Sequence, residues 1–336
     1  MNIQTLSQAP LTFSARPVQW ELVEPLVIAR GTMTSVDVVI VIVRDTAGRV
    51  GQGEAAGVDY AGETPSSMLR QLDEVASRLT EDTTPAGIQA WLPPGGARNA
   101  LDCALWDLQA KRSGVPAWQR AGASRWEPTL SAMTIGLGSE AHVRQRARAL
   151  RSFPLLKLKV DADRHVDVVR IVREEHPGAR ITVDANGGWS RGLLERLLPQ
   201  LAQLRVEHVE QPVPPGTDEQ LDGLVSPIPL VADESCVDRS SLPGLVRRYQ
   251  GINIKLDKTG GLTEALLLAA QAQQQGLDLM VGNMCGSSLA MAPAFVIGQS
   301  CRYVDLDGPL WQVDDIEPRM PFEAGMLSPP EPALWG

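Results

Sequence analysis

The pattern of apolar and polar positions divides the chain into two parts. In the first part, the β-branched run VVIVIV (38–43) is followed by Asp-Thr-Ala-Gly, which suits a hairpin turn before GQGEAA. This pattern predicts an antiparallel sheet. Two stretches with apolar residues at helical spacing come next, over 66–79 and 97–111. A small α+β unit is therefore expected at the N-terminal end.

In the second part, short apolar runs recur about every 25 residues, each followed by a more polar stretch with helical character. Strands and helices alternating at this spacing predict a TIM-type barrel. After the eighth run, Pro309 and an irregular segment replace the last helix, which gives a (β/α)7β barrel. The runs are TLSAMTI, LLKLKV, RITVDA, VEHVEQP, PLVADE, GINIKL, DLMVGN and RYVDLD.

The predicted fold class is therefore α/β, a modified TIM barrel with an α+β capping domain. The capping domain is expected to comprise residues 1–124 and a C-terminal tail, 313–336, that returns to it, and the barrel residues 125–312. With 336 residues, of which 43% are hydrophobic, the chain is long enough to form one large and one smaller core.

Composition and charge exclude several functional classes. The net charge of −9 comes from scattered residues, without a Lys/Arg block that could follow a phosphate backbone, which argues against nucleic acid as a partner. The opening segment does not resemble a signal peptide, and no run approaches the roughly 20 apolar residues of a membrane span. The four cysteines are far apart, as expected of free thiols in a reducing compartment. A cytoplasmic protein without membrane contact is expected.

The ends of the predicted barrel strands, where barrel enzymes carry their catalytic groups, are unusually charged. One charged residue at a strand end is more often part of a solvated loop, but a repeat over successive strands indicates a site. Because alternate strand residues face the same side, both members of each Lys-x-Lys and Asp-x-Asp pair should face the barrel mouth. The charged ends are Lys157, Lys159, Asp184, Glu210, Asp233, Glu234, Lys255, Asp305 and Asp307.

Three of these carboxylates, Asp184, Glu210 and Asp233, come from neighbouring strands and suit a hard cation such as Mg²⁺. Zinc is disfavoured because no His or Cys accompanies them. Lysines beside such a cation have a lowered pKa and can act as general bases. Lys159 and Lys255, on strands two and six, would act on opposite faces of a carbon next to a carboxylate, whose enolate Mg²⁺ would stabilise. This placement predicts racemisation or epimerisation.

Several motifs resemble the enolase superfamily, and within it the muconate-lactonising subgroup, over essentially the whole chain. They are KLK, DAN, VEQP, ADES, NIKLDKTGG and GARNALDCALWDL. The subgroup carries a lysine at the end of strand six, whereas the mandelate-racemase subgroup uses a strand-seven His that VGNMCGSS lacks. The resemblance implies Mg²⁺ on the three carboxylates, Lys159 and Lys255 as the acid/base pair, and Lys157 on the substrate carboxylate.

The DLD motif of Asp305 and Asp307 resembles the DxD of dipeptide epimerases. There the two carboxylates bind the α-ammonium of the substrate, as converging carboxylates are expected to do. Thr134, Asn283 and Cys285 fall at positions where that family lines its dipeptide pocket.

One segment departs from the family pattern. Relatives acting on L-Ala-D/L-Glu hold the glutamate with an arginine in the N-terminal loop. Here the loop is IARGTMTSV, so Arg30 is present but Met33 stands at the position of that arginine. A buried glutamate without a cation is costly. Either Arg30 substitutes, or the second side chain of the substrate is apolar or otherwise different.

The sequence thus predicts an isomerase, a Mg²⁺-dependent epimerase of a small-molecule dipeptide substrate. It would invert the Cα of the C-terminal residue of L-Ala-D/L-Glu or a related L-Ala-X by a two-lysine 1,1-proton transfer through an enolate. An N-acylamino acid racemase and an o-succinylbenzoate synthase-type lyase stay open as alternatives, because neither needs an ammonium partner. A non-catalytic protein would leave the intact ligands and lysines unexplained. The sequence leaves open whether the protein forms a homo-oligomer.

Overall fold

The N-terminal part of the computed structural model, which describes residues 9–28 and 31–336, is built on an antiparallel sheet. Its three strands pair in chain order, and the predicted turn closes with a hydrogen bond from Gly48 N to Asp45 O at 3.0 Å. The hairpin prediction is confirmed. The strands are Thr12–Ile28, Gly31–Arg44 and Val50–Ala55.

Helices cover one face of this sheet, and both predicted helices are present with slightly different ends. The longest helix packs so closely on the third strand that a Cβ at Gly51 would lie 2.1 Å from Ala104 O, and one at Gly53 2.3 Å from Ala100 O. Glycine is therefore needed at both positions. The helices are Pro65–Ala76, Pro85–Ile88, Gly96–Ser113 and Ala117–Arg120, preceded by the 3-10 helix Asp59–Ala61.

The second part of the chain is an eight-stranded parallel sheet in sequential order, which confirms the predicted barrel. A hydrogen bond at 2.8 Å from the N–H of Ala132, directly before the first strand, to Val304 O joins this end of the sheet to the eighth strand. Each strand falls within one of the eight apolar runs. The strands are Met133–Ile135, Leu155–Lys159, Arg180–Asp184, Val206–Glu210, Leu230–Ala232, Gly251–Ile254, Asp278–Val281 and Tyr303–Val304.

The connections between barrel strands are less regular than the sequence suggests. The fourth and fifth strands are joined through the 3-10 helix Asp218–Leu221, because the prolines in QPVPPG and SPIP cannot donate the hydrogen bonds of a helix. After the eighth strand only the 3-10 helix Gly308–Trp311 follows, so the last helix is missing as expected. The other connecting helices are Glu140–Ala149, Val166–Glu175, Arg191–Gln203, Arg239–Ser241 (3-10), Leu242–Leu245, Leu256–Thr259, Leu262–Gln274 and Ser288–Gly298.

The C-terminal tail runs back to the N-terminal part. The strands Phe322–Glu323 and Met326–Leu327 form a small sheet with Thr129–Leu130. Further on, Trp335 Nε1 donates to the carbonyl oxygen of Cys103 at 3.0 Å, within the long helix of the N-terminal part. The tail thus pairs first with residues just before the barrel and reaches the capping helix only at its end, and the division at residues 124/125 and 312/313 stays a prediction.

The cysteines and the lengths of the helices bear on the expectations drawn from composition. All four cysteines are free thiols, as expected. In the described parts of the chain, no helix combines the length and the apolar character that crossing a bilayer requires.

Candidate active site

Three buried carboxylates meet at the C-terminal ends of adjacent barrel strands. Asp184 and Glu210 are the last residues of the third and fourth strands, and Asp233 follows the fifth. All three are fully buried, and each offers an oxygen within 4.8 Å of the others. Crowded buried carboxylates are costly without a neutralising cation, and a set of oxygen donors without His or Cys fits Mg²⁺. The structure brings together the three predicted ligands.

On one side of these carboxylates lie the two lysines of the second strand. Lys157 Nζ is 3.1 Å from Asp184 Oδ2 and 2.8 Å from Glu210 Oε2. Lys159 Nζ is 2.6 Å from Asp184 Oδ2. Both ammonium groups therefore face the barrel mouth, as the alternation along a strand predicts.

Lys255, at the end of the sixth strand, lies on the other side of the cluster. Its Nζ is 2.7 Å from Asp233 Oδ2. Lys159 and Lys255 thus contact different carboxylates and line one cavity, and their strands are four apart in the eight-stranded sheet, which puts them across the barrel from each other. This is the arrangement expected of two groups that act on opposite faces of one carbon.

The pKa values of these groups are set by their burial and by the charges of their neighbours. Burial, reinforced by the charges of Asp184 and Asp233, raises the pKa of Glu210 to about 8. Burial alone would lower the pKa of Lys255, but the Asp233 carboxylate outweighs it and the net pKa is raised. The lowered lysine pKa expected from the sequence therefore requires a divalent cation on the carboxylates, whose charge would cancel their field.

Asp305 and Asp307 follow the eighth strand, and both are buried. Asp305 Oδ2 is 2.8 Å from Lys157 Nζ, whereas its Oδ1 is buried without a hydrogen-bond partner. Asp307 Oδ2 accepts hydrogen bonds from Thr134 N at 2.8 Å and from Trp311 Nε1 at 3.1 Å. Burial and the nearby Asp305 raise the pKa of Asp307 to about 6. A cationic ligand with N–H groups could donate to Asp305 Oδ1, and its charge would lower the pKa of Asp307.

The remaining predicted residues lie around the same cavity, which has a volume of about 340 Å³. Asn283 Nδ2 donates to the backbone oxygen of Asp305 at 2.7 Å, and Asn283 Oδ1 accepts from Cys285 N at 2.7 Å. Thr134 lines the cavity and meets Asp307 through its backbone N–H. Arg30 lies outside the described residues. Met33 is on the capping side of the cavity, with Leu26, Ile28 and Val36.

Two sequence models match the chain. The model described as "Enolase C-terminal domain-like" matches residues 140–333. The model described as "Mandelate racemase / muconate lactonizing enzyme, N-terminal domain" matches residues 11–122. The chain belongs to the enolase superfamily. The resemblance drawn from the motifs is confirmed.

Two relatives within the superfamily show how similar the chain is to characterised proteins. It is 40% identical over 310 residues to the L-Ala-D/L-Glu epimerase of Escherichia coli (strain K12), covering 92% of this chain and 96% of that one. It is 45% identical over 245 residues to an N-acetyl-D-glutamate racemase of a Pseudoalteromonas species, covering 73% and 78%.

Solved structures of superfamily members agree with the fold. A protein from Agrobacterium tumefaciens, with bound sodium and L-Ala-L-Glu, aligns with a TM-score of 0.94 and 38% identity over 97% of this chain and all of that one. A dipeptide epimerase from Methylococcus capsulatus, complexed with Mg and L-Arg-D-Lys, aligns with a TM-score of 0.90 and 30% identity over 96% and 98%.

Three further residues of this superfamily member touch the candidate site but were not singled out from the sequence. Asn253 Nδ2 donates to Glu210 Oε1 at 2.7 Å, and Lys258 Nζ is 2.6 Å from Asp233 Oδ1. Asn253 could have been found, because it is two residues before Lys255 and shares its inward face. Lys258 and Trp311 lie on short helical turns after strands, where the sequence pattern does not indicate which way a side chain points.

Proposed function

We propose that this protein is a Mg²⁺-dependent dipeptide epimerase that inverts the Cα of the C-terminal residue. The observation that carries the proposal is a pair of buried carboxylates, Asp305 and Asp307, beside a cavity flanked by two opposed lysines. The named relatives are epimerases and racemases, which are isomerases.

In the proposed reaction, one of Lys159 and Lys255 removes the Cα proton and the other delivers a proton to the opposite face. Asp184, Glu210 and Asp233 would hold Mg²⁺, which supplies positive charge where the substrate carboxylate becomes more negative. We propose that Lys157, held between these carboxylates, binds a substrate carboxylate oxygen and keeps it oriented.

The carboxylate pair supports a dipeptide rather than an N-acylated amino acid as substrate. A free α-ammonium would complete the hydrogen bonding of Asp305 Oδ1 and stabilise the anionic form of Asp307. An N-acyl group has no charge to offer, so it would not offset the charge of Asp307, and Asp305 Oδ1 would gain no charged donor.

For the second residue, we propose an uncharged side chain. The capping wall of the cavity carries Leu26, Ile28 and Met33, and no cationic side chain among the capping residues that the structure describes. A glutamate carboxylate buried against these described residues would find no cationic partner among them, whereas an apolar side chain would gain from burial.

Replacing Asp307 by Asn tests the ammonium site. The variant keeps an oxygen that can accept from Thr134 N, but it loses the charge. We expect kcat/KM for L-Ala dipeptides to fall about 10²-fold, because breaking a buried charge pair costs a few kcal/mol. Turnover of the matching N-acetyl amino acids should not fall.

Asp59→Asn is the matched control, since Asp59 is an exposed carboxylate on the same cavity that lies outside the proposed ammonium site. Its effect on dipeptides should stay within about threefold, as expected for a solvated charge. Equal losses on dipeptides and N-acetyl amino acids in Asp307→Asn would contradict the proposal and favour an N-acylamino acid racemase.

A further inference from the structure

The segment 283–287, here called the strand-seven loop, forms one side of the cavity. Asn283 and Cys285 line the cavity, and Cys285 has a φ of 65°, the left-handed conformation. This conformation costs a residue with a Cβ roughly 1–2 kcal/mol, and it persists only where the surroundings fix it. The loop must therefore be held by contacts beyond its own backbone.

One such contact comes from the capping sheet. Glu54, buried near the end of the strand Val50–Ala55, accepts a hydrogen bond from Ser287 N at 2.7 Å through Oε1. Its Oε2 accepts from Ser287 Oγ at 2.5 Å. Ser287 is also the N-cap of the helix Ser288–Gly298, where its Oγ accepts from Leu289 N at 3.1 Å. A single carboxylate thus holds both the end of the loop and the start of the next helix.

The glutamate also packs directly against the loop backbone. A Cβ at Gly286 would lie 3.0 Å from Glu54 Oε1, so the glycine allows the close approach. The neighbouring Ser288 is held in a similar way by Asp315 of the C-terminal segment, at 2.8 Å from its N and 2.5 Å from its Oγ. Carboxylates from two segments outside the barrel therefore fix this turn.

The other end of the loop reaches the carboxylate pair. Asn283 joins Cys285 N to the backbone of Asp305, and its Oδ1 would lie 3.0 Å from a Cβ at Gly308, just after Asp307. A displacement of the loop would therefore shift the residues around the proposed ammonium site. Glu54 stands at the start of this chain of contacts.

We infer that Glu54 is a positioning residue, which fixes the strand-seven loop from the capping sheet and so shapes the ammonium side of the substrate pocket. The inference rests on the proposed function. Glu54 itself does not line the cavity, so its influence passes through Ser287 and the loop.

Glu54→Ala and Glu54→Gln test the inference with two readouts. The first is alkylation of Cys285 by iodoacetamide, followed by peptide mass spectrometry, with the buried Cys103 and Cys236 as internal references. Burial and the charge of Asp307 raise the pKa of the Cys285 thiol to about 12, so alkylation should be slow in the wild type. The second readout is the separate measurement of KM and kcat on the best dipeptide.

In Glu54→Ala, the Ser287 donors lose their acceptor, and we expect alkylation of Cys285 and the KM each to rise about tenfold, with a smaller change in kcat. Glu54→Gln should stay close to the wild type. Its amide oxygen can accept from Ser287 N, and its amide nitrogen can donate to Ser287 Oγ.

Asp102→Ala is the matched control. Asp102 is another buried carboxylate between the capping helix and the barrel, where it accepts from Thr263 N at 3.1 Å and from Gln89 Nε2 at 3.3 Å. It does not line the cavity. Its loss should lower thermal stability without changing Cys285 alkylation or the KM.

A folded Glu54→Ala variant with wild-type Cys285 alkylation and wild-type KM would overturn the inference. If Glu54→Ala does not fold, Glu54→Asp shortens the side chain so that it cannot keep both contacts with Ser287, and wild-type alkylation and KM in that variant would overturn the inference equally. Alkylation needs no substrate. A wild-type protein that turns over no dipeptide would therefore contradict the proposed function while leaving this test of the loop intact.

Discussion

Lys255→Met is expected to abolish net epimerisation but to leave exchange of the Cα proton in one of the two epimers. With Lys255 absent, the described lining of the cavity has no other lysine on that side to take or return the Cα proton, and the epimerisation rate should fall about 10³-fold or more. Lys159 remains, 2.6 Å from Asp184. The variant should therefore still exchange the Cα proton of the one epimer that presents it to Lys159.

Lys159→Met should give the mirror result, with exchange confined to the other epimer. The measurement is deuterium uptake from D₂O by each purified epimer, followed by mass spectrometry. Lys111→Met is the matched control, because Lys111 is paired with Asp107 away from the cavity. If either lysine variant lost exchange of both epimers equally, or kept full epimerisation, the two-sided arrangement would be wrong.

The second large effect is expected from the metal ligands. Glu210→Gln keeps an oxygen that can accept from Asn253 but removes one of the three charges proposed to hold the cation. We expect the Mg²⁺ needed for half-maximal activity to rise strongly, and activity without added Mg²⁺ to fall at least about 10²-fold, since metal charge supplies several kcal/mol of stabilisation. EDTA should abolish wild-type activity, and Mg²⁺ should restore it.

Glu207→Gln serves as the control for this substitution. Glu207 is on the same strand as Glu210 but pairs with Arg180 outside the site, at 2.7 Å. Its Mg²⁺ dependence should match the wild type. Titration of Mg²⁺ against the thermal midpoint gives a readout independent of turnover, because a bound ion stabilises the folded state. Wild-type stabilisation by Mg²⁺ in Glu210→Gln would count against the carboxylate site.

The barrel and its charged rim could be predicted from the sequence because each feature is local. Each strand is a short apolar run, and six of the eight end in a charged residue or are directly followed by one. Alternation along a strand places Lys157 beside Lys159 on the inner face. The carboxylates of adjacent strands then meet through the parallel order of the sheet, as Asp184 and Glu210 do.

Other features depend on contacts distant in sequence or on exposed positions. The strand Thr12–Ile28 was not singled out, because many of its residues are polar and exposed. The hydrogen bonds of Glu54 to Ser287 join residues 233 positions apart, and no periodicity reports such a pair. The prolines between the fourth and fifth strands prevent a regular helix there, whereas the repeat of the other units predicts one.

The most direct test of the proposed epimerase is to incubate the wild type with Mg²⁺ and a library of L-Ala-L-Xaa dipeptides in D₂O. Mass spectrometry and NMR would locate the deuterium and identify the epimer. We expect deuterium at the Cα of the second residue only, together with the L-Ala-D-Xaa product, and faster turnover for apolar second residues than for glutamate. Absence of exchange from every dipeptide, or exchange at the first residue, would contradict the proposal.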